Sequence, residues 1–590
     1  MTHRPWLAHY DPWVPATLEY PDGPLTDILD TTAAAVPGRI ALQFAGAAIT
    51  YADLKAQADR CAVAFARLGV RKGDRIGLML PNCPQYVLAA FAALRLGAVI
   101  VNINPSFTAR ELDVVLADAT PHLLITLDTL IPVVRATAHW TALARVLVTA
   151  LGECAEPAAA PPVVDGTLSL MTLIAFAGGG SQTDSPATPV TGADLAVLQY
   201  TGGTTGTPKA AMLTHANIFA NVVQSTAFMY GTPERGKDRY LLVIPLFHIY
   251  GFTVGLLRSI NVGATIMLLP KYAPAAMLQA IRDFVPGCVP AVPTIYVSLL
   301  AHPDLAASRL DRVRSFHTGG APCPVDLIER FEAATGRQLN EGYGMSECAP
   351  VICTTPLQGL RLPGTVGVPL PDTDIRIVDL DTGDHVLPAG EAGELCVCGP
   401  QVMQGYWQRP DESARALRTD ADGRRWLYTG DIARLDANGF VTLVQRKKDV
   451  IIVDAFKVYP TEVEAVLHTH PAVQMAAVVG VPDGYHGEAV HASVVLRPEW
   501  RTRNRSRAGD DDEGPGRDSD DTRAAAHTVE DLLAHCRTQL APYKVPAFIS
   551  IREQLPMSAV GKILYRVLRE EAVASAAGEE RVTWPDALRQ

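Results

Sequence analysis

Nowhere in this sequence of 590 residues does an apolar run persist long enough to read as a membrane span. The most apolar stretch, 241–270, is interrupted by His248, Arg258 and Asn261 and punctuated by Pro245 and Gly251, a pattern that predicts a buried strand, turn and helix. The opening residues, Met-Thr-His-Arg-Pro-Trp, lack the apolar core of a secretory signal. Cysteine is sparse: ten are scattered, and the close pairs Cys348/Cys353 and Cys396/Cys398 have neither zinc-site spacing nor the look of a disulfide framework. Surplus positive charge is missing too. With 51 Lys+Arg against 62 Asp+Glu the net charge is −11, which argues against a general nucleic-acid surface. These absences predict a cytoplasmic protein with reduced thiols.

What is present is an ordinary globular composition, 48% hydrophobic and 19% charged, in a chain too long for one core, so at least two domains are expected. From about 25 to 200, helical and strand patterns alternate. Thr50 and Asp53 are placed to cap a helix over 54–68, Arg75–Met79 is a strand, Pro84–Arg95 is helical and 98–102 is a strand. Such alternation predicts an α/β fold with a mostly parallel sheet flanked by helices. The alternation resumes over 239–316. Short strands at 375–378 and 393–397, between Pro/Gly/Asp turns, predict a smaller β subdomain. A boundary is expected near 446–449. Beyond it, helix 461–468, strands 473–481 and 489–496 and helix 529–540 make a small α+β domain. The Arg/Asp-rich stretch 499–526 is too poor in apolar residues to order itself and reads as a disordered insertion.

The segment 200–209, Tyr-Thr-Gly-Gly-Thr-Thr-Gly-Thr-Pro-Lys, follows an apolar run. Gly202, Gly203 and Gly206 let backbone N–H groups approach an anion, Thr201, Thr204 and Thr205 add hydroxyls, and Lys209 adds charge. The loop suits phosphate, yet it lacks the Gly-x-x-x-x-Gly-Lys-Ser/Thr spacing of the P-loop. Four other segments join it. Residues 317–322 are a glycine turn after a strand over 313–316, where a flat base can approach the backbone at Gly319, Gly320, Ala321 and Pro322. Residues 341–347 (Glu-Gly-Tyr-Gly-Met-Ser-Glu) put an aromatic plane, a hydroxyl and a carboxylate in one short turn. Residues 428–431 read as a tight turn presenting Asp431. Near the end, Lys562 follows a glycine and precedes an amphipathic helix.

In this order and at these separations the motifs resemble those of the acyl-adenylate-forming superfamily over about 25–575. The segments 199–206, 245–251 (Pro-Leu-Phe-His-Ile-Tyr-Gly) and 102–106 (Asn-Ile-Asn-Pro-Ser) look most like bacterial long-chain fatty acid–CoA ligases. The resemblance implies a large adenylation domain, 1–446, a hinge at 447–448 and a small mobile domain, 449–590. It implies ATP, Mg2+ and coenzyme A, and two steps: acyl-adenylate formation with loss of pyrophosphate, then transfer to a thiol. Thr201, Thr204, Thr205 and Lys209 would hold the β- and γ-phosphates, with Ser346 adding a contact and Glu347 holding the metal. Tyr343, flanked by Gly342, Gly344 and Met345, would stack on adenine, and Asp431 with Arg446 would grip the ribose. Lys562 would meet the reacting carboxylate and α-phosphate when the small domain closes about Lys448. His248 would line the acyl pocket; a structural histidine at a strand end is the alternative.

Three positions depart from the family's usual pattern. Ala455 stands where a glycine beside the pantetheine channel is usual, Ala210 replaces a glycine, and Gln445 replaces Gly or Asp. His486 and His491 lack the His-Glu-x-x-His spacing, and His468 and His470 sit at a helix end, so none is read as a metal ligand. The resemblance leaves room for a homodimer and for peripheral association with the inner face of the membrane. Two other readings compete with a fatty acid–CoA ligase: an adenylating enzyme for an aryl acid or a carrier-protein thiol, and a non-catalytic nucleotide-binding regulator.

Overall fold

In the computed structural model the described residues are 4–154, 162–177, 189–201, 208–230, 236–454, 456–483, 486–498, 500, 517–558 and 562–576. The two loops read at 155–162 and 178–188 lie almost wholly outside them, as does 499–516 of the expected insertion.

Two large sheets form the body. One has eight strands, whose parallel centre includes Arg75–Met79, Val99–Asn102, Leu123–Leu127 and Leu195–Thr201. The other has nine, with Arg239–Leu242, Cys288–Ala291, Ser315–Thr318 and the start of Leu339–Gly344 running parallel. Helix Tyr51–Arg67 shows why the chain punctuates where it does. Thr50 accepts the N–H of Asp53 as its cap, and Gly69, at φ +90°, reverses the chain just beyond it. Helix Pro84–Arg95 is apolar on nearly every face and lies in the main core. The 241–270 region is strand, turn and helix as its punctuation predicts, with one refinement: Tyr250–Leu257 is π-helical before Arg258–Asn261 continues as α-helix. π-Turns inside helices are frequent at functional sites.

The β subdomain is a five-stranded sheet that extends further than expected, adding Leu417–Thr419, Arg425–Leu435 and Val441–Arg446 to Asp374–Val378 and Ala392–Cys398. Residues 428–431 are therefore not a free turn. They lie inside strand Arg425–Leu435, at a bulge where Thr429, Gly430 and Asp431 stand opposite Leu395 alone, with Gly430 at φ +71°. Residues 341–347 also divide differently: Tyr343 is in strand Leu339–Gly344, and Glu347 is in the single turn Ser346–Cys348.

The smaller C-terminal domain packs a five-stranded sheet against helices Pro460–His468, Arg517–Gln539 and Tyr565–Ala576. The second helix begins at Arg517 rather than 529.

Candidate active site

Strands Leu195–Thr201 and Lys209–Thr214 form an antiparallel pair that puts Thr201 opposite Lys209. Gly202, Gly203, Thr204, Thr205 and Gly206 between them lie outside the described residues, as does Ala455. The Thr201 hydroxyl donates to the Lys209 carbonyl at 3.3 Å. The Lys209 ammonium pairs with Glu412 and lies 5.6 Å from the centre of the Tyr406 ring. Tyr406 then ties this corner to the next one, donating its hydroxyl to Glu347 Oε1 at 2.8 Å. Neither Tyr406 nor Glu412 was singled out in the sequence. They arrive because Gly405–Tyr406 adds to the edge of strand Lys209–Thr214, a pairing with no local signature.

Glu347 is almost fully buried. Burial raises its pKa, opposed by its own backbone N–H, the Tyr406 hydroxyl and the Arg446 charge. Tyr343, also buried, donates its hydroxyl to Asp431 Oδ2 at 2.5 Å, and Arg446 Nε meets Asp431 Oδ1 at 3.1 Å. Strand pairing sets that ion pair directly across the sheet, Asp431 opposite Arg446. The Asp431 charge in turn raises the Arg446 pKa. The two glycine segments approach closely: a Cβ on Gly319 would sit 3.0 Å from the Gly342 carbonyl. Ala321 and Pro322 continue the turn past Gly320, and Met345 and Ser346 continue from Gly344 into the turn that carries Glu347. Lys448 lies in the turn Lys447–Asp449, and burial lowers its pKa.

The C-terminal domain supplies the last group. Lys562 enters a narrow cleft lined by Ile244, Pro245, His248, Tyr250, Val292 and Gly320. Its loop is braced by the Ser558 N–H donating to the Lys562 carbonyl at 2.7 Å and by the Lys562 N–H donating to the Ser558 hydroxyl at 3.1 Å. Burial, then the Arg446 charge, pushes the Lys562 ammonium down to about 8, while Glu347 and Asp431 pull it back up. His248 is held near 3 by burial and by Lys562, so its ring is neutral. Its Nδ1 accepts the Tyr250 N–H at 3.2 Å, which leaves Nε2 to carry the hydrogen. A basic group, a neutral imidazole and a buried carboxylate thus gather at the carboxyl ends of parallel strands, where α/β sheets bind ligands.

The AMP-binding enzyme family matches residues 29–407, and the family of its C-terminal domain matches residues 462–562. The chain is an AMP-binding enzyme. Its relatives include the long-chain-fatty-acid–CoA ligase of Bacillus subtilis (strain 168), 39% identical over 585 residues that cover 97% of this chain and 98% of that one. Among solved structures, ATP-bound MatB from Rhodopseudomonas palustris superposes with a TM-score of 0.79 at 28% identity, covering 94% of this AMP-binding enzyme and 99% of MatB. The anthranilate CoA ligase AuaEII, in complex with anthranoyl-AMP, gives 0.81 at 26% identity, covering 96% and 99%. The α/β class and the acid–thiol ligase class expected from the motifs are those of this family.

Glu347 would suit the metal that such enzymes use. A carboxylate whose charge is disfavoured by burial, held on one oxygen by Tyr406, gains from a divalent cation on the other. Bound there with nucleotide, the ion would neutralise phosphate charge.

Proposed function

We propose that this AMP-binding enzyme activates a fatty acid with ATP and transfers the acyl group to coenzyme A. The observation that carries the reading is the convergence of Lys562, from the C-terminal domain, with His248 and Gly320 in one cleft. In the first step a carboxylate oxygen attacks the α-phosphorus, a P–O bond forms, and the bond to the β-phosphate oxygen breaks to release pyrophosphate. Two anions must meet in line, so positioning and charge neutralisation do the catalysis. Lys562 would donate to the oxygens where charge grows. Thr201, Lys209 and the loop between them would hold the leaving phosphates, with Ser346 adding a contact. Tyr343 would stack on adenine, and its bond to Asp431 would fix the carboxylate that, with Arg446, takes the ribose.

In the second step the thiol sulfur attacks the acyl carbon, the C–O bond to AMP breaks, and the thiol proton leaves to solvent. Lys562 has no part in it, so the domain would turn about Lys447–Lys448 and swing the lysine out. Two hydrogen bonds cross that segment and would have to break as the domain turned: Thr461 donates its N–H to Gln445 Oε1 at 3.3 Å and its hydroxyl to the Val444 carbonyl. Ala455 would face the thiol channel. A cytoplasmic location, peripheral association with the inner face of the membrane and a homodimer belong to the same proposal. Among the described residues no helix is long and apolar enough to cross a membrane.

An aryl acid is the second reading, supported by the likeness to the anthranilate ligase. AMP release measured over a panel of fatty and aryl acids, with and without CoA, decides between them. Acid-dependent AMP release that requires CoA is expected; turnover confined to aryl acids would favour the second reading.

A further inference from the structure

Beyond strand Arg239–Leu242, residues 243–248 belong to neither strand nor helix, yet they are largely buried and supply three walls of the cleft, Ile244, Pro245 and His248. Buried backbone groups need partners, and outside a sheet ladder they must find them elsewhere. Here the partners are side chains carried by the other large sheet and the helix beside it. Asn82, in the turn between strand Arg75–Met79 and helix Pro84–Arg95, donates Nδ2 to the Ile244 carbonyl at 3.0 Å and accepts the Leu246 N–H on Oδ1 at 2.7 Å. The Tyr86 hydroxyl, on that helix, lies 2.9 Å from the Leu246 carbonyl and 2.6 Å from Asn102 Oδ1, and shares its one hydrogen between them. Gln199 Nε2 donates to the Phe247 carbonyl at 3.2 Å.

These side chains are joined to one another. Strand pairing sets Asn102 beside Gln199, and Asn102 donates Nδ2 to Gln199 Oε1 at 3.0 Å. That bond leaves Asn102 Oδ1 to accept from Tyr86 and Gln199 Nε2 to donate to Phe247, so each amide is engaged at both ends in a single orientation. None of the four is more than 4% exposed. On the other side of the segment, Gly251 lets the helical turn close down: a Cβ there would collide with the Pro245 carbonyl, which also accepts the His248 N–H at 3.1 Å. Gln199 stands two residues before Thr201 on strand Leu195–Thr201. One run of hydrogen bonds therefore leads from the strand that ends at Thr201 to the backbone beside His248.

We propose that Asn82, Tyr86, Asn102 and Gln199 are positioning residues for the acid-activating step: they hold residues 244–248, and with them the carboxylate end of the bound acid, in register with the phosphate-holding segment that begins at Thr201. The inference rests on the ligase reading. The segment 244–248 hangs from one sheet and the phosphate-holding segment from the other, so tight binding at each does not by itself align them. In-line attack tolerates little error, and a misplacement of about 1 Å can cost 100-fold in rate. The network supplies the common frame. Its loss should therefore appear in the rate of the chemical step more than in the binding of either substrate.

The test uses the full chain with Mg2+ and measures acid-dependent ATP–pyrophosphate exchange with octanoate and palmitate in wild type, Gln199→Met and Tyr86→Phe, alongside melting temperature. Gln199→Met nearly keeps the volume and removes the bond to Phe247. Tyr86→Phe removes one oxygen atom and carries the test if the first variant does not fold. The expected result is a kcat lowered about 10- to 100-fold in Gln199→Met and about tenfold in Tyr86→Phe, with the KM for ATP and for the acid each within about threefold of wild type. A lower melting temperature with kcat unchanged, or a rise in either KM that accounts for the whole loss, overturns the inference and leaves the ligase standing. No exchange in wild type with either acid overturns both.

Discussion

Gly320 and Lys562 face one another across the cleft: a Cβ on Gly320 would lie 3.6 Å from Lys562 Cε and 4.0 Å from Nζ. Gly320 also has φ +81°, a conformation that costs an L-residue about 1–2 kcal/mol. Gly320→Ala is therefore expected to lower the adenylation rate about tenfold, by strain in the turn that faces the lysine. Nucleotide titration should show a smaller change. An adenylation rate equal to wild type would mean that the lysine does not work from this position.

The depressed pKa of Lys562 sets a pH limit. With the group at about 8, it carries its charge below that pH and loses it above. The kcat/KM of adenylation, which reports the free enzyme, should fall as pH rises through 8. Lys562→Arg keeps its charge throughout and should abolish that descending limb, though at a lower rate. A limb unmoved in the variant would assign it to another group.

Tyr406 is expected to orient Glu347 for the metal it would hold. Tyr406→Phe removes the hydroxyl that holds Glu347 Oε1 and should raise the Mg2+ concentration for half-maximal adenylation about tenfold. Mg2+ titration of pyrophosphate exchange measures it. An unchanged midpoint would show that Glu347 is oriented without this bond.

How far the sequence revealed this site depends on whether its parts are contiguous. The turn at Gly319–Gly320 and the lysine at 562, which the structure brings into one cleft, were visible because each motif lies within a few neighbouring residues. Tyr406 and Glu412 were not, because only sheet pairing brings them to Lys209. Residues 428–431 read as a turn from Thr-Gly-Asp, and tertiary pairing on both sides overrode that signal by absorbing the glycine in a bulge.

A buried carboxyl in the smaller domain gives a stability prediction. Glu464 accepts the Val478 N–H at 2.8 Å, and burial raises its pKa from 4.5 to about 7. The folded state thus holds a proton that the unfolded state releases, so stability is greatest below pH 4.5 and is lost as pH rises through about 7. Glu464→Gln keeps an acceptor for Val478 and removes the titration. Its melting temperature should exceed wild type at pH 8 and lose that advantage toward pH 4.5. Equal melting curves at both pH values would place the pH dependence elsewhere.

Lys562 is expected to stabilise charge in the acid-activating step. The direct test is carboxylate-dependent ATP–pyrophosphate exchange, without CoA, in wild type and Lys562→Ala, alongside ATP affinity. Exchange is expected in wild type, with a loss of about 100- to 1,000-fold in the variant and ATP affinity little changed. Exchange at the wild-type rate in Lys562→Ala, or equal losses of exchange and of ATP affinity, would contradict it.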